Sequence, residues 1–228
     1  MPRIGGRPRQ IETEDIVLIG RELGLHRLSL NAVATRLGVS STALYRHVDG
    51  RWGLENLVGE STLADLDLLD DPADDTVRHL LSFGLQLRSF ILRHPGLAVY
   101  VQTLFPRGRS GRRLLAVETA ALMRRGYATD AAMVLSTAVA SIAIGYAAAE
   151  DAQRQRAEGR ARQERDALAA LRTDPLLGAA HRALPDVGAD EHVRLWLGAA
   201  VRAFVDAAPP GRSPERIMAA LDAAGKGQ

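Results

Sequence analysis

Short hydroxyl side chains, an aromatic ring and basic groups lie close together in residues 38–54, GVSSTALYRHVDGRWGL. Small side chains near a helix N-terminus let the helix approach base edges in the DNA major groove, where an arginine can donate two hydrogen bonds to guanine. Tyrosine, histidine and arginine side chains, together with helix N-terminal amides, can bind phosphate oxygens. These residue types therefore predict an edge that reads DNA, with phosphate contacts on both sides. The candidates for base contacts, together with residues that flank them, are Ser40, Ser41, Thr42, Ala43 and Arg46. The candidates for phosphate contacts are Ser29, Asn31, Tyr45, His47 and Arg51.

Two short helices must hold these side chains, and the apolar spacing predicts them at 30–37 and 41–47 with a tight turn between them. This is the spacing of a helix-turn-helix. Gly38 permits the positive φ of the turn, Ala34 is small where the helices approach each other, and Leu44 is expected to point inward.

Each of these features also has a purely structural interpretation. Helix corners with small residues occur in many proteins, and Tyr45 and His47 could be a half-buried ring and its hydrogen-bond partner. Upstream, residues 5–9 read Gly-Gly-Arg-Pro-Arg, which is expected to be an extended, slender and basic segment. Its Arg7 and Arg9 are predicted to enter an A/T-rich minor groove. A charged tail without DNA contacts is the alternative for that segment.

The apolar pattern predicts an all-α chain, because no alternation typical of strands is sustained. The first helix is expected at 12–23 with Thr13 as its N-cap, and a longer helix at 51–69 follows the Asp49-Gly50 turn. Beyond an Asp-rich hinge around Pro72, helices are predicted at 74–93, 95–104, 109–125, 129–155, 190–207 and 214–223. The polar run 154–165 is expected to be solvated, either as a frayed helical extension or as a disordered segment.

Composition narrows the classes of function. The chain has 228 residues, no cysteine and a formal net charge of +2. Its six histidines form no His-x-x-x-His pair and no glycine-rich phosphate loop follows a strand, so no enzyme, metal site or cofactor is predicted.

The polar N-terminus is not typical of a signal peptide. The apolar run 131–149 approaches the length of a membrane span, but Asp130 and Glu150 bracket it, and we predict a buried helix in a cytoplasmic protein.

Residues 13–57 resemble the N-terminal DNA-binding domain of the tetracycline repressor (TetR) family of transcriptional regulators. The resemblance implies a three-helix DNA-binding head, a linking helix, and an all-helical C-terminal domain for ligand binding and dimerisation. By position, Tyr45 and Arg51 match phosphate-binding residues of the family, while Ser41, Thr42, Ala43 and Arg46 match base-reading ones. The matching segment is LSLNAVATRLGVSSTALYRHVDGRWGL, above all Leu37-Gly38-Val39, Leu44-Tyr45-Arg46-His47-Val48 and Arg51.

Two positions depart from the family pattern. Arg46 stands where many members have an aromatic residue, and Asp49 stands where lysine, proline or glycine is common. The first predicts a guanine contact particular to this protein, and the second weakens the phosphate contact. We predict a domain at 1–55, comprising the arm and the helix-turn-helix, a linking helix at about 51–69, and a ligand-binding and dimerisation domain at 70–228.

The C-terminal two-thirds carry patterns for dimerisation and for a ligand cavity, and ordinary core packing is the alternative to both. Small residues allow close helix approach in 129–155 and 190–207, which are predicted to form a four-helix interface with a second copy. A ligand cavity with apolar walls and scattered polar groups is predicted within 74–155. Its candidate residues are Phe83, Gln86, Phe90, Tyr100, Thr103, Phe105, Met123, Thr137, Ser141 and Tyr146.

Together these features predict a dimeric, sequence-specific, DNA-binding transcriptional regulator. One recognition helix reads only a few base pairs, so two heads are expected to read a palindrome with half-sites about 34–36 Å apart or a multiple of it. The expected partners are double-stranded operator DNA, a second copy of the chain and a largely apolar small molecule that releases a repressor from DNA; no membrane partner is expected. The alternatives are a ligand-independent DNA-binding regulator and an all-helical enzyme.

Overall fold

The computed structural model describes residues 11–105 and 107–226, and every regular element within them is helical. The chain divides into two compact units. The first unit comprises the described residues up to Asp67 together with His94–Arg112, and the second comprises Leu68–Arg93 and the described residues from Arg113 onward. Residues 94–112 pack with the first unit, so that unit is built from two separate segments of the chain. The predicted domains are instead divided at a single point, 69/70, and that boundary stays a prediction.

The helices, in chain order, are α1 (Thr13–Leu23), α2 (Leu30–Leu37), α3 (Ser41–Leu44), α4 (Gly50–Leu63), α5 (Thr76–Leu92), α6 (Leu97–Leu104), α7 (Arg109–Arg124), α8 (Thr129–Thr173), α9 (Leu177–Ala183), α10 (Ala189–Ala207) and α11 (Pro214–Lys226). A 3₁₀ turn at Leu25–Arg27 connects α1 and α2. Helices α1 to α4 and α6 belong to the first unit, α5 and α8 to α11 belong to the second, and α7 contributes residues to both.

An apolar core holds α1 to α4 together in the first unit. Its buried members are Ile16, Leu28, Val33, Ala34, Leu44, Val48, Leu54 and Val58. α1 and α4 approach closely at Gly20, because a Cβ there would lie 2.4 Å from Val58 Cγ2. Each fully buried valine, leucine or isoleucine side chain stabilises the fold by about 1.5–3 kcal/mol relative to an exposed one. The core therefore stabilises helices as short as α2 and α3, which would be marginal alone in water.

Local signals set both ends of α2. Ser29 is the N-cap, and its Oγ accepts a hydrogen bond from the Ala32 N–H at 3.1 Å. Gly38 ends the helix in the left-handed conformation with φ of 70°, and the next N–H, of Val39, donates to the Ala34 carbonyl at 3.0 Å. A residue with a Cβ is strained at such a φ, so the glycine is needed for the turn into α3.

The ends of α1 and α3 differ from the sequence prediction. The N-cap of α1 is Glu12 rather than Thr13, because Glu12 and Asp15 form a reciprocal capping box in which the Glu12 N–H donates to Asp15 Oδ2 at 3.1 Å. α3 ends at Leu44 instead of residue 47. The N–H groups of His47 and Val48 both donate to the Leu44 carbonyl, at 2.8 and 3.0 Å, so the chain tightens into a turn. Ser40 is the N-cap of α3 by position, but its side chain makes no capping hydrogen bond.

α4 ends at Leu63, earlier than the predicted residue 69. An ion pair joins Arg21 and Asp65 just beyond the end of the helix, and Arg21 Nη1 also donates to the Ser61 carbonyl at 3.1 Å. Arg21 thus binds the Ser61 carbonyl, which a longer helix would use as an acceptor. The N–H groups of Asp65 and Leu66 instead donate to carbonyls three positions back, both at 3.2 Å.

α8 runs to Thr173, well past the predicted end at 155. The polar run 154–165 is therefore helical, and α9 follows it where no helix was predicted. The extension is rich in Ala, Arg, Gln and Glu, which have high helix propensity, and Arg162 and Asp166 are paired one turn apart at 3.9 Å. A polar composition suits an exposed helix as well as a loop, so polarity left both alternatives open, and the structure agrees with the helical one.

The second unit is built on contacts of α5 with α8 and α10. At Gly84 in α5, a Cβ would lie 2.8 Å from Leu197 Cδ2 and 3.1 Å from Val139 Cγ1. Arg88 crosses the same region: its Nε and Nη2 donate to the two Glu150 carboxylate oxygens at 2.7 and 2.6 Å. The Glu150 hydrogen bonds raise the pKa of the Arg88 guanidinium. The buried arginine is therefore paired and charged.

One described segment, Thr129–Gln155 of α8, is long and apolar enough to cross a bilayer by length and composition. Half of its most apolar window is buried inside the structure, and its Leu135, Val139 and Ala143 lie in the core. Core packing thus accounts for the apolar character of this segment.

Candidate nucleic-acid interface

The outward face of the helix-turn-helix is formed by α3 and the turn after it. Leu44 and Val48 are buried, which directs the residues between them away from the core. Tyr45 is 60% exposed, and Thr42, Arg46, His47 and Ser40 are also exposed, whereas Ser41 and Ala43 are half-buried. Most of the predicted base-contacting and phosphate-contacting side chains of 40–47 are therefore accessible to a ligand, and their role in binding DNA stays a prediction. The half-buried ring proposed as an alternative for Tyr45 does not fit its exposure.

Two of the predicted contact residues are joined to each other. Ser41 Oγ donates to Asn31 Oδ1 at 2.6 Å, across the corner between α2 and α3. This bond uses Asn31 Oδ1 as an acceptor and leaves the donor capacity of the Asn31 amide N–H₂, so the predicted phosphate contact of Asn31 stays a prediction. Ser29 Oγ is occupied as the acceptor from Ala32, so its own hydroxyl proton is still available to donate.

Arg51 lies in the first turn of α4 and is exposed, but it already has an acidic partner. Its Nε donates to Glu55 Oε1 at 2.6 Å, an ion pair one helical turn apart. A phosphate would have to compete with this carboxylate. Gly50 begins the helix with φ of 64°, and the N-cap Asp49 makes no side-chain capping bond, so no side chain caps the first amides of α4.

Trp52, beside Arg51, was not singled out by any sequence motif. It is 53% exposed, although tryptophan is highly buried on average in folded proteins. The available signal was a large aromatic residue in the first turn of a helix that begins beside the DNA-reading turn. The predicted minor-groove residues Arg7 and Arg9 lie outside the described residues.

A polar network in the first unit links α4 to α6 and to the first turn of α7. The Tyr100 hydroxyl is 3.0 Å from Glu60 Oε1, and Glu60 Oε2 accepts from the Ser110 N–H at 2.7 Å. Ser110 Oγ donates in return to the Glu60 carbonyl at 2.9 Å. Burial, and then the hydrogen bond with Glu60, raise the pKa of the Tyr100 phenol, so it stays a donor. Gly59 is required beneath the ring, because a Cβ there would lie 2.6 Å from Tyr100 Cε1.

The residues predicted for a ligand cavity are distributed over both units. Tyr100, Thr103 and Phe105 belong to the first unit, and the other seven to the second. In the second unit, Phe83 and Phe90 are buried, Gln86 and Tyr146 are half-buried, and Met123, Thr137 and Ser141 are exposed; in the first, Thr103 is exposed and Phe105 half-buried. The Gln86 amide is used structurally, since it accepts from the Leu69 N–H at 2.8 Å and donates to the Leu69 carbonyl at 2.9 Å. This set of ligand contacts stays a prediction.

A buried charge cluster in the second unit surrounds His79. Its Nδ1 lies 3.0 Å from Asp70 Oδ1 and its Nε2 lies 3.0 Å from Glu118 Oε1. Arg125 and Arg124 each bind Asp70 at 2.7 Å. The Arg125 hydrogen bond first, then Arg124 and His79, lower the pKa of Asp70 from 3.8 to about 2. No group of three or more acidic or histidine side chains that could hold a metal ion occurs within 11–105 and 107–226.

Comparison with known proteins agrees with this architecture. No family model matches the chain. An HTH-type transcriptional regulator of Saccharopolyspora erythraea is 25% identical over 163 residues, covering 69% of each sequence. The TetR-family protein ActR of Streptomyces coelicolor, in a structure with actinorhodin, is similar over 90% of this chain and 100% of its own, with a TM-score of 0.73 and 19% identity. TetR of Acinetobacter baumannii AYE is similar over 87% of this chain and 99% of its own, with a TM-score of 0.65 and 20% identity. These likenesses confirm the predicted all-α fold, and they agree with the resemblance of residues 13–57 to the TetR family.

Proposed function

We propose that this protein is a DNA-binding transcriptional regulator of the TetR type that acts in the cytoplasm as a dimeric repressor and leaves a palindromic operator when a small molecule binds. The observation that carries the proposal is the exposed face of α3 and its following turn. Thr42, Tyr45 and Arg46 share that face, while Leu44 anchors it in the core at 0% exposure. A basic, hydrogen-bonding edge on a short helix is suited to the major groove.

The expected roles follow from the position of each side chain. Arg46 donates two hydrogen bonds to a guanine, and the small residues Thr42 and Ala43 contact neighbouring base edges. Tyr45 and Arg51 hold phosphates on either side of the groove and set the register, without reading sequence themselves. The uncapped first amides of α4 add a further phosphate contact.

Dimerisation is supported by the two faces of α10. Val193, Leu197 and Val201 are buried within the second unit, whereas Leu195 and Trp196 are exposed on another face. Soluble monomers rarely expose large contiguous apolar patches, so this face is suited to a second copy of the chain. Two heads related by a dyad would then read an inverted repeat.

Release by a ligand is supported by the likeness to ActR, which has been crystallised with actinorhodin. A 100-fold loss of operator affinity requires a coupling free energy of only about 2.7 kcal/mol. The expected inducer is small and largely apolar. A ligand that binds the folded protein raises its melting temperature by mass action and, if it is an inducer, also lowers operator affinity.

DNA binding can be tested before the operator is known, using a labelled random-sequence duplex and fluorescence anisotropy between about 50 and 200 mM salt. The affinity is expected to fall steeply as salt increases, and Arg51→Ala should lower the magnitude of the log–log slope by about one. Arg162→Ala, which removes an exposed arginine from α8, is the matched control and should leave the slope unchanged. Absence of binding at the lowest salt, or an equal effect of both variants, would contradict the proposal.

The inducer is tested by a metabolite screen that records melting temperature and release of the selected operator together. Compounds that do both support ligand-released repression. If a broad screen yields neither effect while operator binding is intact, ligand release is wrong and DNA binding stands.

A further inference from the structure

A pocket rich in arginine lies within the second unit, between the C-terminal end of α5, the middle of α8 and the first turns of α10. Its volume is about 480 Å³. None of the residues predicted for a ligand cavity lines it, and neither does the exposed Leu195 and Trp196 face of α10. The regulatory role described above therefore assigns nothing to this arginine pocket. Among the described residues, the arginines that line it are Arg88, Arg93, Arg154 and Arg194.

Arg88 forms the buried side of the arginine pocket and is only 5% exposed. Its Nε and Nη2 donate to the two Glu150 carboxylate oxygens at 2.7 and 2.6 Å, and Nη2 also donates to Asp190 Oδ1 at 2.8 Å. These bonds join α5 to α8 and α10, so the guanidinium is held in one orientation. Its Nη1 takes part in none of them, and its N–H donors are therefore available to a ligand in the pocket.

Arg93 and Arg154 add positive charge at the exposed side of the pocket. Within the described part of the chain, neither of them forms an ion pair with a carboxylate, and each makes a neutral contact instead. Arg93 Nη1 donates to Ser89 Oγ at 2.7 Å, and its guanidinium lies 5.7 Å from the centre of the Phe90 ring. Arg154 Nη1 donates to the Leu92 carbonyl at 3.4 Å. Both guanidinium groups are thus oriented at the end of α5, and most of their N–H donors are unused.

The charges and donors of the pocket favour an anion with several oxygens. Arg194 is paired with Glu191, since its Nε donates to Glu191 Oε2 at 3.1 Å, so it is not counted among the available donors. Arg88 Nη1, Arg93 and Arg154 are available, and they come from the buried side and the exposed side of one cavity. A carboxylate offers two oxygens to such donors, whereas a phosphate monoester offers three and carries a charge of about −1.5 to −2 at pH 7. Guanidinium groups also match phosphate oxygens in geometry.

The pocket also has an apolar side, which indicates an organic ligand. Leu85 and Leu92 line it, and both are half-buried. Its volume falls within the range of about 300–1,000 Å³ that is typical of small-molecule sites. A concave pocket with an apolar wall suits a small molecule better than the regular, polar backbone of a DNA duplex.

We infer that the arginine pocket binds a small phosphate monoester. Its phosphate oxygens accept hydrogen bonds from Arg88 Nη1, Arg93 and Arg154, and its organic part lies against Leu85 and Leu92. This ligand site is separate from the cavity predicted for a largely apolar inducer. It requires neither DNA binding nor dimerisation, so it is tested independently of the proposed function.

The test is isothermal titration calorimetry of the full chain with phenyl phosphate, in a phosphate-free buffer at low salt. Arg93→Gln and Arg154→Gln should each weaken binding by about tenfold or more, because each removes charge-assisted hydrogen bonds. Arg162→Gln, which removes another exposed arginine of α8, is the matched control and should leave the affinity unchanged. All three arginines are exposed, so the variants should fold, and helix content by circular dichroism verifies this. No saturable binding to the wild type, or an equal effect of the three variants, would overturn the inference.

Two comparison ligands and one DNA measurement separate the alternatives. Phenyl phosphate should bind more tightly than inorganic phosphate, because its ring contacts the apolar wall, and benzyl alcohol should not bind. Equal affinity for the two anions would overturn the monoester in favour of inorganic phosphate, and binding of benzyl alcohol as tight as that of phenyl phosphate would overturn phosphate recognition. Affinity for a random duplex, measured by anisotropy without added anion, should be the same for wild type and Arg154→Gln. A loss as large as that of Arg51→Ala would assign the pocket to DNA phosphates and refute the inference.

Discussion

Replacing Asp70 with asparagine should destabilise the second unit by an amount that follows from the charge cluster around it. Asp70 accepts hydrogen bonds from Arg124 and Arg125 at 2.7 Å each and faces His79 Nδ1 at 3.0 Å. These partners lower the pKa of Asp70 from 3.8 to about 2, with the Arg125 hydrogen bond as the largest cause. At about 1.36 kcal/mol per pKa unit, this lowering of the Asp70 pKa corresponds to about 2 kcal/mol of stability.

The dependence on pH has a definite sign. Because the folded-state pKa of Asp70 lies below the unfolded-state value, the unfolded chain binds the proton more readily between these two values. The contribution is therefore fully present above about pH 4 and is lost as the pH falls towards 2, with about half of it gone by pH 3. Asparagine carries no charge, so the stability gap between wild type and Asp70→Asn should narrow as the pH falls from about 5 to 3.

Urea unfolding of the Trp52→Phe protein measures this gap, since the remaining Trp196 reports on the second unit. The matched control is Asp71→Asn, which changes the exposed neighbouring carboxylate and should cost no more than about 0.5 kcal/mol. If Asp70→Asn costs no more than Asp71→Asn, or if its cost does not change between pH 5 and pH 3, the cluster does not stabilise the fold as described.

The remaining predictions concern the DNA-reading unit. Arg46→Ala should relax preference at one base pair at a cost of about 1–3 kcal/mol, measured by anisotropy on single-substitution duplexes; an unchanged preference would mean that the register of α3 is wrong. Glu55→Gln should strengthen binding to all duplexes alike, because it frees Arg51 from its 2.6 Å ion pair, and unaltered affinity would show that Arg51 does not reach phosphate. Leu44→Ala should destabilise the first unit by about 2–5 kcal/mol, because Leu44 is fully buried. Unfolding is followed through Trp52 emission in a Trp196→Phe background. A cost under about 1 kcal/mol would contradict the burial of Leu44.

The helix-turn-helix could be predicted from the sequence because its determinants are local. Ser29 and Gly38 mark the ends of α2, and the apolar spacing places Leu44 inward and its neighbours outward. Over so short a distance, helical periodicity and a glycine turn leave little freedom for tertiary packing to alter. The exposure of Tyr45 follows from the same pattern.

Contacts that depend on side-chain geometry or on distant parts of the chain could not be predicted in this way. The Arg51–Glu55 ion pair and the Ser41–Asn31 hydrogen bond each form only when both side chains adopt particular rotamers, which the sequence does not specify. The contact of Tyr100 with Glu60 joins residues 40 positions apart, and nothing in the local pattern around Tyr100 separates it from the apolar residues of a cavity.

In the C-terminal half, the extent of the helices and their packing also could not be predicted from local sequence. The described side chains at 154–155 and 162–165 are exposed, and exposed helices and loops share a polar composition. The arginine pocket takes its lining from three helices, at positions scattered between 85 and 194, so no sequence window displays those residues together.

Selection of bound fragments from a random duplex library tests the central claim most directly, since one consensus reports base reading, dimerisation and register. The account predicts an enriched inverted repeat whose half-sites are about 34–36 Å apart or a multiple of it, with a guanine in each half whose preference depends on Arg46. Failure to enrich any sequence at low salt, or enrichment of a single half-site without a dyad, would contradict it.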